Sequence, residues 1–455
     1  MVQDTLSPTT AAPAAPAAAR LAPEAWIHRP AQPLAGARNG PLAGLHFAVK
    51  DNIDVGGWPT TAACPAFAYT APAHASVVQT LLDAGAALHG KTNLDQFACG
   101  LNGTRSPYGA VPNAINPLYV SGGSSSGSAY VVATGQVDFA LGTDTAGSGR
   151  VPAGLNNIVG LKPSRGLISA RGVVPAAQAV DCVSIFTTTV AAALRVLAVA
   201  MGHDPADPYS RTLPMATEPW GARSGGRFRL GVPAHPEFFG DGAARAAFGD
   251  ALLQLQDLGG QPVPLDFAPL SACADMLYGS ALVAQRYEAV RAFFDAHEDE
   301  VMEPVRGIIA SGRGYSAADL VAAQTQLAAL AQQAQALWQG IDLLVVPTAP
   351  THHTIARMQA DPVVLNRQLG AYTNFVNLLD YAALSVPASL RADGLPFGIT
   401  FIGRCGSDWQ LAELGQRFHH ATGLPQGATG QPLPAPQAMA DLIPVSLFPS
   451  SRSPA

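Results

Sequence analysis

The residues best suited to chemistry lie within 120–153, where two clusters of glycine and serine flank a short apolar segment. Glycine lacks a Cβ atom, so such clusters allow the backbone to approach a ligand closely. The segment that precedes Ser148 is brief, apolar and followed by a turn signal, which predicts a buried strand. Ser148 would then lie in a loop after that strand, where backbone N–H groups and its hydroxyl can face one oxygen atom. Such a loop is suited to form an oxyanion hole.

Lysine is scarce in this chain, and arginine carries almost all of the positive charge. Only Lys50, Lys91 and Lys162 occur among the 455 residues. Solubility therefore does not explain their presence. A buried lysine can lose its proton, which arginine in a protein does not do. The scarcity indicates that these lysines have roles that arginine cannot fill.

The elements that must position these residues follow from the apolar pattern. The pattern predicts a helix over 129–133 that ends at Gly135, a strand over 137–143, and a helix that begins at Pro152. Helices are also predicted over 76–84, 243–258, 274–298 and 317–339, and strands over 45–49, 86–89, 341–346 and 397–402.

Strands and helices that alternate over this length favour an α/β layer fold. The run 341–346 is continuously apolar, which predicts a buried parallel strand. Ser316 and Asp319 have the spacing of a capping pair for the helix 317–339.

Composition also divides the chain into regions. Residues 1–40 are rich in alanine and proline, which predicts a disordered arm, and the Pro-rich tail 424–455 is expected to be poorly ordered. The domain between them, 41–423, has a more helical middle region at about 205–340.

Charge and composition exclude several classes of protein. The net charge is −6 and no basic run occurs, so nucleic-acid binding is not expected. No apolar run reaches the ~20 residues of a membrane span, and no signal-peptide pattern opens the chain. We therefore expect a cytoplasmic protein with no membrane contact. The sequence contains no HExxH motif and no EF-hand loop, so no metal is expected, and no cofactor is expected either. Its cysteines form no CxxC pair and are expected to be free thiols: Cys64, Cys99, Cys182, Cys273 and Cys405.

Two short motifs match patterns whose structural context is missing. Residues 85–92, GAALHGKT, match the phosphate-binding P-loop, but a helix precedes the first glycine where the P-loop needs a strand. We interpret that glycine as a helix cap. Residues 123–127, GSSSG, match a nucleophile elbow around Ser125, with His352 or His353 as the histidine. Any segment rich in serine and glycine meets this pattern easily, so the signal is weak.

The remaining arrangement resembles the amidase signature family. Its Gly/Ser-rich segment corresponds to GGSSSGS at 122–128, and its GTDxxGSxR motif to GTDTAGSGR at 142–150. The family's lysine motif corresponds to AVKD at 48–51, with GKTN at 90–93 as its companion. The resemblance covers about 45–405 and implies a large mixed central sheet with helices on both faces.

The resemblance implies that Lys50 is the base, Ser148 the nucleophile, and Ser124 a proton bridge beside a cis peptide. Physical chemistry is consistent with these roles, because a serine hydroxyl is a weak nucleophile until a base takes its proton. Lys50 must then be neutral at rest, and lowering its pKa from ~10.4 to ~7–8 takes roughly 4 kcal/mol. The oxyanion hole would use the backbone N–H groups of Thr145, Ala146, Gly147 and Ser148.

Other interpretations stay open for residues near these motifs. Ser125 or Ser126 could take part in place of Ser124. Asp144 and Arg150 are expected to form a structural pair that shapes the loop, although Arg150 could contact an anionic substrate. Four further polar residues are expected to hold loops: Asn93, Asp95, Gln96 and Arg105.

Within the family, the chain is most similar to the allophanate hydrolases, whose substrate is a small carboxylated urea. That resemblance implies that Tyr278 and Arg286 bind the substrate from one face of the helix 274–298, because the arginine fork suits a carboxylate. Gly122 and Gly123 are assigned to substrate binding as well. The segments that carry the similarity are 92–110, 142–166, 181–186 and 372–380.

Two points qualify this interpretation. Arg286 could instead form a surface ion pair with Glu288 or Asp275. Allophanate hydrolases usually carry a smaller C-terminal domain, which we expect to be absent here, with the chain either shortened or a natural single-domain form.

The resemblance also implies partners. A biotin-dependent urea carboxylase would supply the small anionic amide, and the chain would form a homodimer. The alternatives are a malonamate-type amidase, one component of a tRNA-dependent amidotransferase that works through partner chains and RNA, and a non-catalytic scaffold.

Overall fold

An 11-stranded sheet runs through the computed structural model, which describes residues 21–443. The strands of this sheet and of a separate two-stranded sheet, β3 with β4, are β1 Trp26–His28, β2 His46–Lys50, β3 Pro59–Thr60, β4 Tyr69–Thr70, β5 Ala87–Thr92, β6 Phe139–Asp144, β7 Val159–Lys162, β8 Cys182–Thr187, β9 Phe228–Pro233, β10 Gly260–Leu265, β11 Leu343–Pro347, β12 Tyr381–Leu390 and β13 Pro396–Arg404.

The large sheet is mixed, as the family resemblance implied. Its order is β1-β5-β2-β6-β8-β7-β12-β13-β11-β9-β10. Strand β2 runs parallel to β5 and β6, strand β9 runs parallel to β10 and β11, and the other neighbours are antiparallel.

Helices cover the sheet: α1 Ser76–Asp83, α2 Ser126–Ala133, α3 Val151–Leu155, α4 Val190–Ala200, α5 Gly242–Asp257, α6 Ala268–Gly279, α7 Ala284–His297, α8 Val305–Ser311, α9 Ala317–Leu337, α10 Ile355–Ala360, α11 Val364–Leu369, α12 Phe375–Leu378, α13 Asp408–Thr422 and α14 Met439–Leu442. Alternate residues of β11 enter two different apolar clusters, Leu343 and Val345 in one, Leu344 and Val346 in the other. The sheet is therefore buried on both faces. None of the helices within 21–443 has the length and apolar character needed to cross a bilayer.

Most predicted elements are present within a few residues of their predicted bounds, and the capping box of α9 between Ser316 and Asp319 is confirmed. The strand predicted over 341–346 is β11, which is parallel to β9 but antiparallel to β13. The region 205–340 contains α5 to α9 as well as two strands, β9 and β10.

The prediction of a single helix over 274–298 is wrong. The segment contains parts of two helices, α6 and α7, which are separated by Ser280 in extended conformation with φ −137° and ψ 177°. The Ser280 hydroxyl accepts a hydrogen bond from the backbone N–H of Leu282 at 3.3 Å and caps a short 3₁₀ helix, Ala281–Val283. Serine side chains compete in this way with helical hydrogen bonds.

Both terminal regions differ from the expected disorder where they are described. Strand β1 pairs with β5, so residues 21–40 contribute the edge of the sheet. At the other end, Leu442 and Ile443 are buried in the main apolar cluster. The expectations for residues 1–20 and 444–455 lie outside the described residues.

Candidate active site

Lys50, Ser124 and Ser148 form a hydrogen-bonded row in the interior. Lys50 Nζ lies 2.8 Å from Ser124 Oγ, and Ser124 Oγ lies 2.9 Å from Ser148 Oγ. The lysine and Ser124 are fully buried, and Ser148 is 3% exposed. The structure thus brings together the three side chains that the motifs indicated.

The sheet explains why residues so distant in sequence meet. Strands β2 and β6 are parallel neighbours, so their carboxyl ends lie at the same edge. Lys50 is the last residue of β2, and β6 ends at Asp144, four residues before Ser148. Ser124 lies in the loop before α2, and the Gly123–Ser124 peptide bond is cis. Open α/β sheets commonly bind ligands at such an edge.

Thr143 is a second partner of Lys50 that sequence reasoning missed. Its Oγ1 lies 2.7 Å from Lys50 Nζ. Thr143 belongs to the GTDTAGSGR motif, but the motif does not indicate that its hydroxyl contacts Lys50. The only indication would have been the register of β2 on β6, which pairs Val49 with Leu141.

The interior position of Lys50 favours the uncharged form of its amine. Burial lowers the pKa of Lys50 to about 7. The charges of Asp95, Asp181 and Asp144 oppose this shift, and the charge of Arg286 adds to it. At neutral pH a large fraction of the amine can therefore accept a proton.

The loop that carries Ser148 contains backbone N–H groups that have no hydrogen-bond acceptor within residues 21–443. Among residues 21–443, the N–H groups of the four predicted oxyanion-hole residues donate to no protein acceptor. Gly147 has φ +141°, and a Cβ atom there would lie only 2.4 Å from Thr373 Oγ1. Glycine is thus required at 147, whereas Ala146 is accommodated as a buried side chain. The four donors are Thr145, Ala146, Gly147 and Ser148.

Asp144 and Arg150 form the predicted structural pair and brace this loop. Arg150 Nε and Nη2 each lie 2.9 Å from an oxygen of the Asp144 carboxylate, and both side chains are fully buried. Burial by itself would raise the pKa of Asp144, but the Arg150 guanidinium holds it below its usual value. Asp144 also accepts from the backbone N–H of Gly149, and Arg150 also donates to the carbonyl oxygen of Thr373 and to Asn377 Oδ1.

Asp95 holds the neighbouring loop, as predicted. Its carboxylate accepts hydrogen bonds from the backbone N–H groups of Asn102, Gly103 and Arg105 at 3.0–3.1 Å. Its own N–H donates to the carbonyl oxygen of Ser124 at 3.1 Å. Gln96 and Asn93 also bind backbone groups of nearby segments.

The two glycines before Ser124 are tightly packed. A Cβ atom on Gly122, which has φ +80°, would lie 2.9 Å from Pro152 Cα, and one on Gly123 would lie 2.1 Å from Asp95 Oδ2. These contacts account for glycine at both positions, and their role in substrate binding stays a prediction.

Tyr278 and Arg286 meet even though they lie on separate helices. Arg286 Nη2 donates to the Tyr278 hydroxyl at 2.9 Å, and the guanidinium carbon lies 4.8 Å from the centre of the Tyr278 ring. Arg286 is 3% exposed, and its Nε and Nη1 have no partner among the described residues. The surface ion pair considered for it is absent there, because Glu288 pairs with Arg291 and Asp275 with Arg367. A buried guanidinium with free donors is suited to hold an anion.

The two misleading motifs have structural explanations. Ser125 Oγ lies 3.2 Å from the carbonyl oxygen of Thr143, within the core, and His352 Nε2 lies 2.7 Å from the carbonyl oxygen of Pro396. Within residues 21–443, Ser125 forms no hydrogen bond to His352 or His353. Gly85, with φ +96°, ends α1, and the residues that follow form β5, so the P-loop pattern is accidental.

Comparison with known proteins agrees with this geometry. The sequence profile of the family described as Amidase matches residues 9–412. The chain belongs to the amidase family. Among curated members, it is 46% identical over 381 residues to urea amidolyase of Saccharomyces cerevisiae, covering 83% of this chain and 21% of that protein. It is 33% identical over 407 residues to a glutamyl-tRNA(Gln) amidotransferase subunit of Haloarcula marismortui, covering 84% of this chain and 96% of that one.

A solved structure of an amidase-family enzyme is also similar. The allophanate hydrolase of Kluyveromyces lactis superposes with a TM-score of 0.85 and 41% identity, covering 90% of this chain and 70% of that one. The chain thus spans about a fifth of the length of the urea amidolyases it matches and about two thirds of this hydrolase.

Proposed function

We propose that this chain hydrolyses the terminal amide of allophanate to ammonia and N-carboxycarbamate. The observation that carries the proposal is Arg286, a buried guanidinium with unpaired donors whose charge acts on Lys50. Its charge lowers the pKa of Lys50, which belongs to the serine–serine–lysine row, and its free donors can hold the carboxylate of a small anionic amide. The names of the similar proteins, urea amidolyase and allophanate hydrolase, support this choice.

The reaction would proceed through an acyl-enzyme on Ser148. Neutral Lys50 accepts the proton of Ser124, which in turn accepts that of Ser148, while Ser148 Oγ attacks the amide carbon. Backbone N–H groups of 145–148 stabilise the negative oxygen. The C–N bond then breaks, the proton returns through Ser124 to the leaving nitrogen, and ammonia departs. Water hydrolyses the ester by the same relay and regenerates Ser148.

The proposed context includes a partner in the pathway. A biotin-dependent urea carboxylase would supply allophanate, and the name of the urea amidolyase relatives supports a link to urea. We also propose a cytoplasmic homodimer, whose mass light scattering would test.

Ammonia release from allophanate, malonamate and acetamide by the purified chain tests the substrate. We expect the highest kcat/KM for allophanate, and faster turnover of the uncharged amide would contradict the proposal. Arg286→Ala should raise KM for allophanate far more than for acetamide, because only the former has a carboxylate. Equal effects on both would remove the assigned role of Arg286.

A serine-directed phosphonate tests the nucleophile. The unchanged chain should be labelled at Ser148, and Ser148→Ala should not be labelled at all. Labelling at Ser125 in that variant would favour the elbow interpretation instead.

A role within an amidotransferase complex is the second candidate, because the chain covers 96% of one such relative. The net charge of −6 disfavours direct contact with RNA. Co-purification of partner chains with a tagged chain would favour this alternative.

A further inference from the structure

Asn377, in α12, joins the segments that hold the loop carrying Ser148. Its Nδ2 donates to the carbonyl oxygens of Asp144 at 2.7 Å and Val180 at 3.0 Å. Its Oδ1 accepts from Arg150 Nη2 at 3.1 Å. The side chain is 1% exposed, so both amide hydrogens and the oxygen are used in the interior.

These contacts reach both ends of the loop. Asp144 is the residue before Thr145, where the row of free N–H groups begins, and Arg150 follows Ser148 by two positions. Asp181 comes directly after Val180, and its carboxylate accepts a hydrogen bond of 2.5 Å from the hydroxyl of Thr145. Asn377 therefore holds the start of the loop directly, through Asp144, and indirectly, through the segment of Val180 and Asp181.

The segment just before Asn377 contacts the middle of the loop. The carbonyl oxygen of Thr373 accepts from Arg150 Nη1 at 3.2 Å, and Thr373 Oγ1 lies against Gly147. The loop is thus held between β6 on one side and residues 373–377 on the other. Asn377 links these two supports, together with Arg150, to which it is hydrogen-bonded.

We propose that Asn377 is a positioning residue that sets the direction of the N–H groups of 145–148. Donors in an oxyanion hole act only when they point at the developing charge, and small misplacements are costly in rate. The inference rests on the proposed serine mechanism, but it does not depend on which amide is the substrate.

The test compares Asn377→Asp and Asn377→Ala with the control Asn157→Asp. Asn157 is also buried, and its Nδ2 donates to two carbonyl oxygens, those of Pro425 and Gly427, both at 2.9 Å. It thus matches the two hydrogen bonds that Asn377 donates, in a different part of the fold, whereas its Oδ1 has no partner among the described residues. Rates are expressed per folded molecule, with folding followed by circular dichroism.

Both Asn377 variants should lower kcat by roughly tenfold to 10²-fold and leave KM within about twofold. Phosphonate labelling of Ser148 should slow by a similar factor, and the acid limb of the pH profile should not move in Asn377→Ala. Asn157→Asp should keep the kcat of the unchanged chain.

The inference is overturned if kcat and labelling are normal in folded Asn377 variants, or if Asn157→Asp loses as much. It is also overturned if both Asn377 variants fail to fold while Asn157→Asp folds, since the role is then structural only. If the unchanged chain is neither labelled nor active on amides, it is the proposed function that fails.

Discussion

Lys50 and Lys91 lie on adjacent parallel strands, β2 and β5, and both are fully buried. Their partners differ. Lys91 Nζ lies 3.0 Å from Asp51 Oδ1, 2.6 Å from Thr60 Oγ1 and 2.8 Å from a backbone carbonyl oxygen. Within residues 21–443, the hydrogen bonds of Lys50 Nζ go only to the hydroxyls of Ser124 and Thr143.

The difference shows that burial alone does not make a lysine a base. Burial lowers the pKa of both amines, but the carboxylate of Asp51 opposes it at Lys91 through direct contact. A hydroxyl is a neutral partner and cannot compensate the loss of hydration in the same way. Lys91 is therefore expected to act as a structural cation, and Lys50 as a proton acceptor.

The largest effect is expected from Lys50→Met, which removes the proposed base and leaves its two hydroxyl partners in place. The kcat/KM for amide hydrolysis should fall by about 10²–10⁴-fold. Thermal unfolding should show stability equal to or above that of the unchanged chain, because no buried charge loses a partner. Activity that stays within tenfold of normal would mean that another group is the base.

Lys91→Met should have the opposite profile. Removing this lysine leaves Asp51 buried without its cation, which should lower the free energy of unfolding by about 3–5 kcal/mol. Urea denaturation measures this change. The double variant Lys91→Met with Asp51→Asn should recover part of the loss, and a single variant as stable as the unchanged chain would refute the assigned role.

The pH dependence of the unchanged chain tests the state of Lys50. Because the neutral amine is the proposed active form, kcat/KM should fall as the pH drops below the pKa of about 7 and level off above it. A profile measured with acetamide avoids titration of the substrate. A rate that stays flat down to pH 5, roughly two units below that pKa, would show that the base is not this amine.

The smallest effect is expected when a charge near Lys50 is removed without touching it. Asp181 raises the pKa of Lys50, so Asp181→Asn should move the acid limb to lower pH, by up to about one unit. Asp54→Asn is the matched control, since Asp54 acts on Lys91 and should leave the limb in place. A limb that moves equally in both variants would erase the contrast between the lysines.

Much of the fold could be predicted from local patterns. Short apolar runs located β2, β5 and β6, and the capping pair located the start of α9, because these signals lie within a few residues of one another. The break at Ser280 was missed, since the apolar pattern continues across it and a serine cap competes with a helix only in its tertiary context. The edge strand β1 was missed because it is only three residues long.

The amino-acid sequence by itself determined which side chains are available for chemistry: three lysines in the whole chain, and serines placed among glycines where backbone and hydroxyl can converge. It also determined the family, since those motifs are specific. The tertiary structure alone decided how they act. Whether a buried amine meets a carboxylate, as Lys91 does, or only hydroxyls, as Lys50 does, depends on strand register and loop packing between residues far apart in the chain. The same packing places Thr143 and Asn377 in contact with the site. The sequence does not predict these contacts, because contacts between distant residues leave no periodic pattern.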